Sequence, residues 1–167
     1  MKHVYIGLGS NLADPRAQIE GGLRALATLP ESRLLQRSRL YCSAPWGRLD
    51  QPEFVNAVAA IETTLLPRAL LAALLAIERS AGRERDATRW GPRVLDLDIL
   101  TYADLALDEP GLHLPHPHLH QRAFVLVPLA EIAPTLSVPG RGRVDTLLTH
   151  IDASACRVLE SEPVTTE

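Results

Sequence analysis

Two aspartates alternate with apolar residues in the segment LDLDIL, residues 95–100. In a β-strand, successive side chains point to opposite faces, so Asp96 and Asp98 share one face about 6–7 Å apart. Two carboxylates at that separation repel each other unless a cation lies between them. One or two Mg²⁺ ions that also bind phosphate oxygens would suit the spacing. A solvated strand face neutralised by nearby arginines explains the same pattern equally well.

A cluster of arginines lies directly upstream of this pair. Five of them fall between residues 79 and 93, in a chain whose net charge is -3: Arg79, Arg83, Arg85, Arg89 and Arg93. Guanidinium groups present paired donors that match phosphate oxygens. Arginines beside metal-binding carboxylates are the two halves of a phosphoryl-transfer site, where positioning and charge neutralisation supply most of the catalysis. A structural network of surface ion pairs is the alternative.

The elements that must position these residues follow an alternating order. We predict strands at 4–9, 33–43, 54–63 and 95–102, and helices at about 15–29 and from 67 to near 82. The order βαββαβ predicts an α+β, ferredoxin-like fold, a mainly antiparallel sheet with both helices on one face. Residues 44–52 and 82–93 form long loops suited to binding and catalysis. A short apolar helix is expected near 122–132.

Length and composition limit the classes of function. The 167 residues predict a single domain over residues 1–160, followed by a polar tail over 161–167. We expect a cytoplasmic protein, because no signal peptide or membrane-spanning stretch is evident. The acidic net charge and 4 % aromatic content argue against an RNA-binding module, the other common use of such a sheet. Gly7 and Gly9 follow a strand as in a dinucleotide-binding fingerprint, but Leu12 stands where the third glycine belongs.

The segment RWGPRVLDLDIL, residues 89–100, resembles the signature of the 6-hydroxymethyl-7,8-dihydropterin pyrophosphokinase family. Four further segments are similar to that family in the same order along the chain: YIGLGSNL at 5–12, QPEFVNA at 51–57, LPHP at 114–117 and RAFVLVPL at 122–129. The resemblance covers about residues 4–134, and we expect the chain beyond it to be peripheral structure. An ordered set of motifs is far more specific than any one of them.

The resemblance implies transfer of the β,γ-pyrophosphoryl group of ATP to the hydroxymethyl oxygen of the pterin, with release of AMP. It implies two Mg²⁺ ions held by Asp96 and Asp98, and catalytic roles for Arg83 and Arg93. Nucleotide-binding positions are implied at Glu78, Arg85, Trp90, His116 and Arg122, with Arg89 as a further contributor. The expected partners are these small molecules only, with neither nucleic acid nor membrane, and the chain is expected to be a monomer.

The pterin site is also implied by the resemblance. Phe54 and Phe124 are the only phenylalanines in the chain, and the family has aromatic residues at both positions that sandwich the pterin. Stacking suits a planar heteroaromatic ring. Asn56 would pair with the ring edge, and Ser43, Ala44 and Trp46 would complete the site. Without the resemblance, both phenylalanines would be predicted as core residues.

The residues leave one enzymatic alternative open. A Mg²⁺-dependent nucleotide phosphohydrolase would use the same pair, Asp96 and Asp98, and would release phosphate from ATP without any pterin.

Overall fold

The computed structural model describes residues 1–43, 52–82 and 94–159. Within these ranges, none of the helices combines the length and the apolar composition that a bilayer crossing requires. The elements are β1 (Lys2–Ser10), α1 (Pro15–Ala27), β2 (Ser32–Arg37), β3 (Tyr41–Ser43), β4 (Phe54–Thr63), α2 (Pro67–Ser80), β5 (Asp96–Tyr102), β6 (Leu107–Glu109), β7 (Leu112–Leu114), a 3-10 turn (Leu119–Gln121), α3 (Ala123–Ile132), β8 (Ser137–Val138), β9 (Gly142–Arg143), α4 (Val144–Leu148) and β10 (Arg157–Val158).

The main sheet is antiparallel and has the strand order β10-β3-β4-β1-β5. β2 also pairs with β4, so β2 and β3 occupy successive stretches of the same edge of that strand. The sheet order and the βαββαβ succession confirm the predicted ferredoxin-like α+β fold.

The extended segment predicted at 33–43 is divided into β2 and β3 at Ser38. The Ser38 backbone N–H donates to the Val58 carbonyl (2.8 Å), and the Ser38 hydroxyl accepts from the Val58 N–H (2.9 Å). The side chain therefore takes the place of a backbone acceptor, and β4 stays hydrogen-bonded where its partner strand is interrupted.

The first core lies between one face of the sheet and helices α1 and α2, as predicted. Asp14 and Pro15 begin α1 as expected: the Asp14 carboxylate accepts from the Ala17 N–H (3.3 Å). The buried side chains come from both helices and from alternate positions of the strands, and include Ile6, Leu8, Ile19, Leu23, Val55, Leu70, Leu74, Leu97 and Ile99.

The second core lies on the opposite face, under α3 and α4. Val58 and Leu100 from the sheet pack against Leu126 and Leu129 of α3. We expected the chain beyond about residue 134 to be peripheral, and this is wrong, because Val144 is fully buried in the second core and β10 joins the main sheet. Leu147 and Leu148 of α4 pack against the same core. The predicted tail at 161–167 lies outside the described residues.

Candidate active site

One stretch of the sheet face opposite the first core carries the predicted polar residues. Val4, Ile6 and Leu8 of β1 point into the first core, so Gly7 and Gly9 point the other way. Gly9 is paired on one side with Asn56 of β4 and on the other with Asp96 of β5. Since neighbouring strands lie about 4.8 Å apart, the backbones of Asn56 and Asp96 are separated by about 10 Å. We call this stretch the site face.

The two aspartates alternate with buried residues along β5, which confirms that they share a face. Asp98 leaves 41 % of its side chain exposed, whereas Leu97 between the two is buried. β5 is an edge strand of the sheet, and its Leu97 N–H donates to the Glu78 carboxylate of α2 (3.1 Å). Glu78 is 1 % exposed. The helix thus anchors the peptide unit that separates the two carboxylates.

His116 lies next to Asp98 as a neutral group. Its Nε2 is 4.0 Å from Asp98 Oδ2, too far for a direct hydrogen bond. Burial lowers the pKa of His116 to about 4, and the charge of Arg122 acts in the same direction. His116 Nδ1 accepts from the His118 backbone N–H (3.2 Å), so the ring proton resides on Nε2, toward Asp98. The ring can therefore donate a hydrogen bond without carrying a charge.

Arg122 brings a cation close to the two carboxylates. Its side chain is buried immediately before α3, and burial lowers its pKa while the charges of Asp98 and Asp96 oppose that effect. The guanidinium carbon lies 5.4 Å from the ring centre of Phe124, a cation–π distance. Arg122 thus connects the carboxylates to the aromatic side of the site.

The four predicted pterin residues in the described ranges, Ser43, Phe54, Asn56 and Phe124, lie on the site face and at the start of α3. Asn56 Nδ2 donates to Ser43 Oγ (2.8 Å), and both side chains are buried. Phe54 and Phe124 are only partly buried, and Phe124 packs against the edge of the second core. Neither ring is enclosed as a core phenylalanine would be.

Seven predicted residues fall in segments outside the described part of the chain. Ala44 and Trp46 belong to 44–51, and Arg83, Arg85, Arg89, Trp90 and Arg93 belong to 83–93. The arginine half of the site therefore stays a prediction.

Sequence reasoning missed a clamp between α3 and β3. The Tyr41 hydroxyl donates to the Glu131 carboxylate, which also accepts from Arg39 Nε (3.0 Å) and from the Arg39 backbone N–H (2.9 Å). Burial raises the pKa of Tyr41 to about 12, and the Glu131 carboxylate adds to that effect. Since 90 residues separate the partners, no local pattern could indicate the pair.

Gly9 was also missed as a site residue, although a glycine inside a strand signals close approach of another group.

The donor set fits Mg²⁺. In the described ranges, no group of three or more His, Cys, Asp or Glu side chains is arranged to hold a metal. Mg²⁺ usually takes only one or two protein carboxylates and completes its shell with water and substrate phosphates. Asp96 and Asp98, partly exposed on one face, offer such a pair.

Comparison with known proteins points to one family. The profile of the 7,8-dihydro-6-hydroxymethylpterin-pyrophosphokinase (HPPK) family matches residues 5–134. A Pseudomonas aeruginosa protein named 2-amino-4-hydroxy-6-hydroxymethyldihydropteridine pyrophosphokinase is 54 % identical over 148 residues, 89 % of this chain and 91 % of its own. A Methylorubrum extorquens protein of the same name is 45 % identical over 160 residues, 96 % of this chain and 100 % of its own.

Solved structures share the fold. A Plasmodium falciparum HPPK-DHPS structure with pteroate matches 89 % of this chain with a TM-score of 0.72 at 13 % identity. An HPPK-DHPS structure in complex with substrates matches 89 % with a TM-score of 0.69 at 12 % identity. The chain spans less than half the length of these solved chains, 44 % and 43 %. The profile match and the relatives establish that this chain belongs to the HPPK family.

Proposed function

We propose that this chain transfers the β,γ-pyrophosphoryl group of ATP to the hydroxymethyl oxygen of 6-hydroxymethyl-7,8-dihydropterin, giving the pterin diphosphate and AMP. The observation that carries the proposal is the row Asn56–Gly9–Asp96 across three neighbouring strands. In this row the backbone of Asn56, whose amide can pair with a flat ring, lies about 10 Å from the backbone of Asp96, which carries the first of the two carboxylates. A bicyclic ring with a hydroxymethyl arm can bridge that gap.

For the phosphate end, we assign Asp96 and Asp98 to two Mg²⁺ ions. Mg²⁺ bound there supplies neutralisation of the phosphate charge that would otherwise repel the attacking oxygen. We assign neutral His116 to donate a hydrogen bond from Nε2 to a phosphate oxygen, which its tautomer supports, and Arg122 to supply a positive charge. Because both groups are held by burial before substrate arrives, little reorganisation accompanies the reaction.

For the pterin end, we assign Asn56 and Ser43 to the ring edge and Phe54 and Phe124 to the two ring faces. An amide offers a donor and an acceptor side by side, which matches the alternating donors and acceptors of a pterin edge. The partial burial of both rings supports this assignment, because a stacking surface must be open to the ligand. Ala44 and Trp46 are assigned to the same site from the resemblance.

The remaining assignments rest on the resemblance. Arg83 and Arg93 clamp the transferred phosphates, and Arg85 and Trp90 contact the nucleotide. Glu78 is placed on the nucleotide side by the same resemblance, and its hydrogen bond to Leu97 supports an additional role in positioning the aspartates. One chain supplies all these residues, so we propose a monomer as the working unit.

The test is a Mg²⁺ titration of turnover in matched aspartate variants. Asp96→Asn and Asp98→Asn should each lower turnover on the order of a hundredfold or more, since several kcal/mol of charge stabilisation is lost. Asp104→Asn, an exposed position just beyond β5, is the control and should keep wild-type turnover. All three should unfold at nearly the wild-type temperature. Full turnover in either site variant would contradict the metal assignment, and joint loss of folding and turnover would favour a structural role.

A further inference from the structure

The backbone conformation at residue 9 does not require a glycine. A positive φ favours glycine, as at Gly82 and Gly111, but Gly9 has ordinary strand geometry. A glycine within a strand destabilises the fold relative to alanine, because it loses more backbone freedom on folding. Another constraint must therefore favour glycine at this position.

That constraint is space beside the Asn56 carboxamide. A Cβ built on Gly9 would lie 3.1 Å from Asn56 Oδ1, closer than ordinary van der Waals contact. The oxygen would have to move or rotate. Its freedom to do so is small, because Asn56 is 4 % exposed and its amide nitrogen is hydrogen-bonded to Ser43 Oγ at 2.8 Å.

The two contacts fix which end of the amide faces which strand. The nitrogen lies toward Ser43 on β3, and the oxygen lies over Gly9 on β1. One N–H donates to Ser43, which leaves the second N–H and the oxygen lone pairs of the amide for a ligand. Rotation of the amide would exchange or misdirect this donor and acceptor.

Gly7 offers the comparison within the same strand. It points to the same face two residues earlier, and a Cβ there would lie 3.3 Å from Leu100 Cδ2. This contact is longer than the one at Gly9, and although Leu100 is itself buried, its side chain carries no polar group to misalign. A methyl group at Gly7 should therefore be tolerated.

We propose that Gly9 is a specificity-determining position, at which the missing side chain keeps the Asn56 carboxamide in the orientation that recognises the pterin edge. The inference rests on the proposed pterin role of Asn56. Gly9 acts through Asn56 and is a positioning residue with no chemical part in the transfer.

The experiment measures the dissociation constants of 6-hydroxymethyl-7,8-dihydropterin and, separately, of Mg-ATP for the full chain and its variants. Gly9→Ala should weaken pterin binding about tenfold or more and leave the Mg-ATP constant within twofold. Gly7→Ala should leave both constants within twofold. Failure of the wild-type chain to bind the pterin would count against the proposed function. Normal binding by Gly9→Ala, or equal weakening for both ligands, would overturn this inference alone.

A double-mutant cycle separates action through Asn56 from simple obstruction of the site. In an Asn56→Ala background the carboxamide is gone, so adding Gly9→Ala should change the pterin constant less than twofold. A loss of the same size as in the wild-type background would overturn the inference. Should Gly9→Ala alone not fold, the double variant should fold, because the close contact is removed. A double variant that also fails to fold would contradict the argument.

Discussion

Replacement of Glu78 by leucine tests how the aspartate pair is held. The change removes the buried carboxylate that accepts the Leu97 N–H and leaves that donor unsatisfied at the edge of β5. A hydrogen bond to a charged group contributes about 1.5–3 kcal/mol, so Glu78→Leu should lower the free energy of unfolding by about 2 kcal/mol. For a chain of this length, that corresponds to roughly 4–8 °C in unfolding temperature.

The assay is urea unfolding of three variants, followed by a Mg²⁺ titration of turnover. Glu78→Gln keeps an acceptor and should lose about 1 kcal/mol, whereas Glu109→Gln, at an exposed ion pair with Arg68, should lose less. Glu78→Leu should also need more Mg²⁺ for half-maximal turnover, because the Asp96 and Asp98 backbones are less firmly placed. An unchanged unfolding midpoint for Glu78→Leu would refute the reasoning.

Four further predictions concern the clamp and the two substrate sites. Tyr41→Phe should lower the free energy of unfolding by about 2 kcal/mol, measured by urea titration, because the Glu131 carboxylate loses a buried donor. Burial raises the pKa of the Glu131 carboxyl, but its hydrogen bonds with Tyr41 and Arg39 outweigh this effect and hold the pKa below its usual value of 4.5. The gap in free energy of unfolding between wild type and Glu131→Gln should therefore be constant above pH 4.5 and should shrink as the pH falls. A gap independent of pH would contradict that cause. Phe124→Leu should weaken pterin binding roughly two- to tenfold without affecting Mg-ATP, and equal effects on both ligands would count against stacking. Arg93→Ala should lower kcat more than it changes KM for either substrate, and an unchanged kcat would remove Arg93 from the mechanism.

The sheet and its covering helices were predictable because their signals are local. Apolar alternation identified β1 and β5, a run rich in Val and Ile identified β4, and Asp14-Pro15 marked the start of α1. The break at Ser38 was not predictable, because it depends on a side chain meeting Val58 across the sheet. β10 was missed for a different reason: a two-residue strand is too short to show any periodicity.

The features of the site likewise separate into those that local sequence patterns predict and those that depend on tertiary packing. The shared face of Asp96 and Asp98 follows from a period of two, so spacing alone predicted it. The orientation of Glu78 toward Leu97 depends on how α2 packs along the sheet edge, and the neutral state of His116 depends on its burial. Neither property can be inferred from the neighbouring residues in the sequence. The role of Gly9 can be recognised only from the strand register, which pairs Gly9 with Asn56.

The most direct test of the central claim is chromatography of the nucleotides formed from ATP and Mg²⁺, with and without 6-hydroxymethyl-7,8-dihydropterin. Transfer of a β,γ-pyrophosphoryl group leaves AMP and consumes the pterin in equal amount. We expect AMP to form only when the pterin is present, together with an equimolar pterin diphosphate. ADP and free phosphate at the same rate with or without the pterin would contradict the account and identify a nucleotide phosphohydrolase.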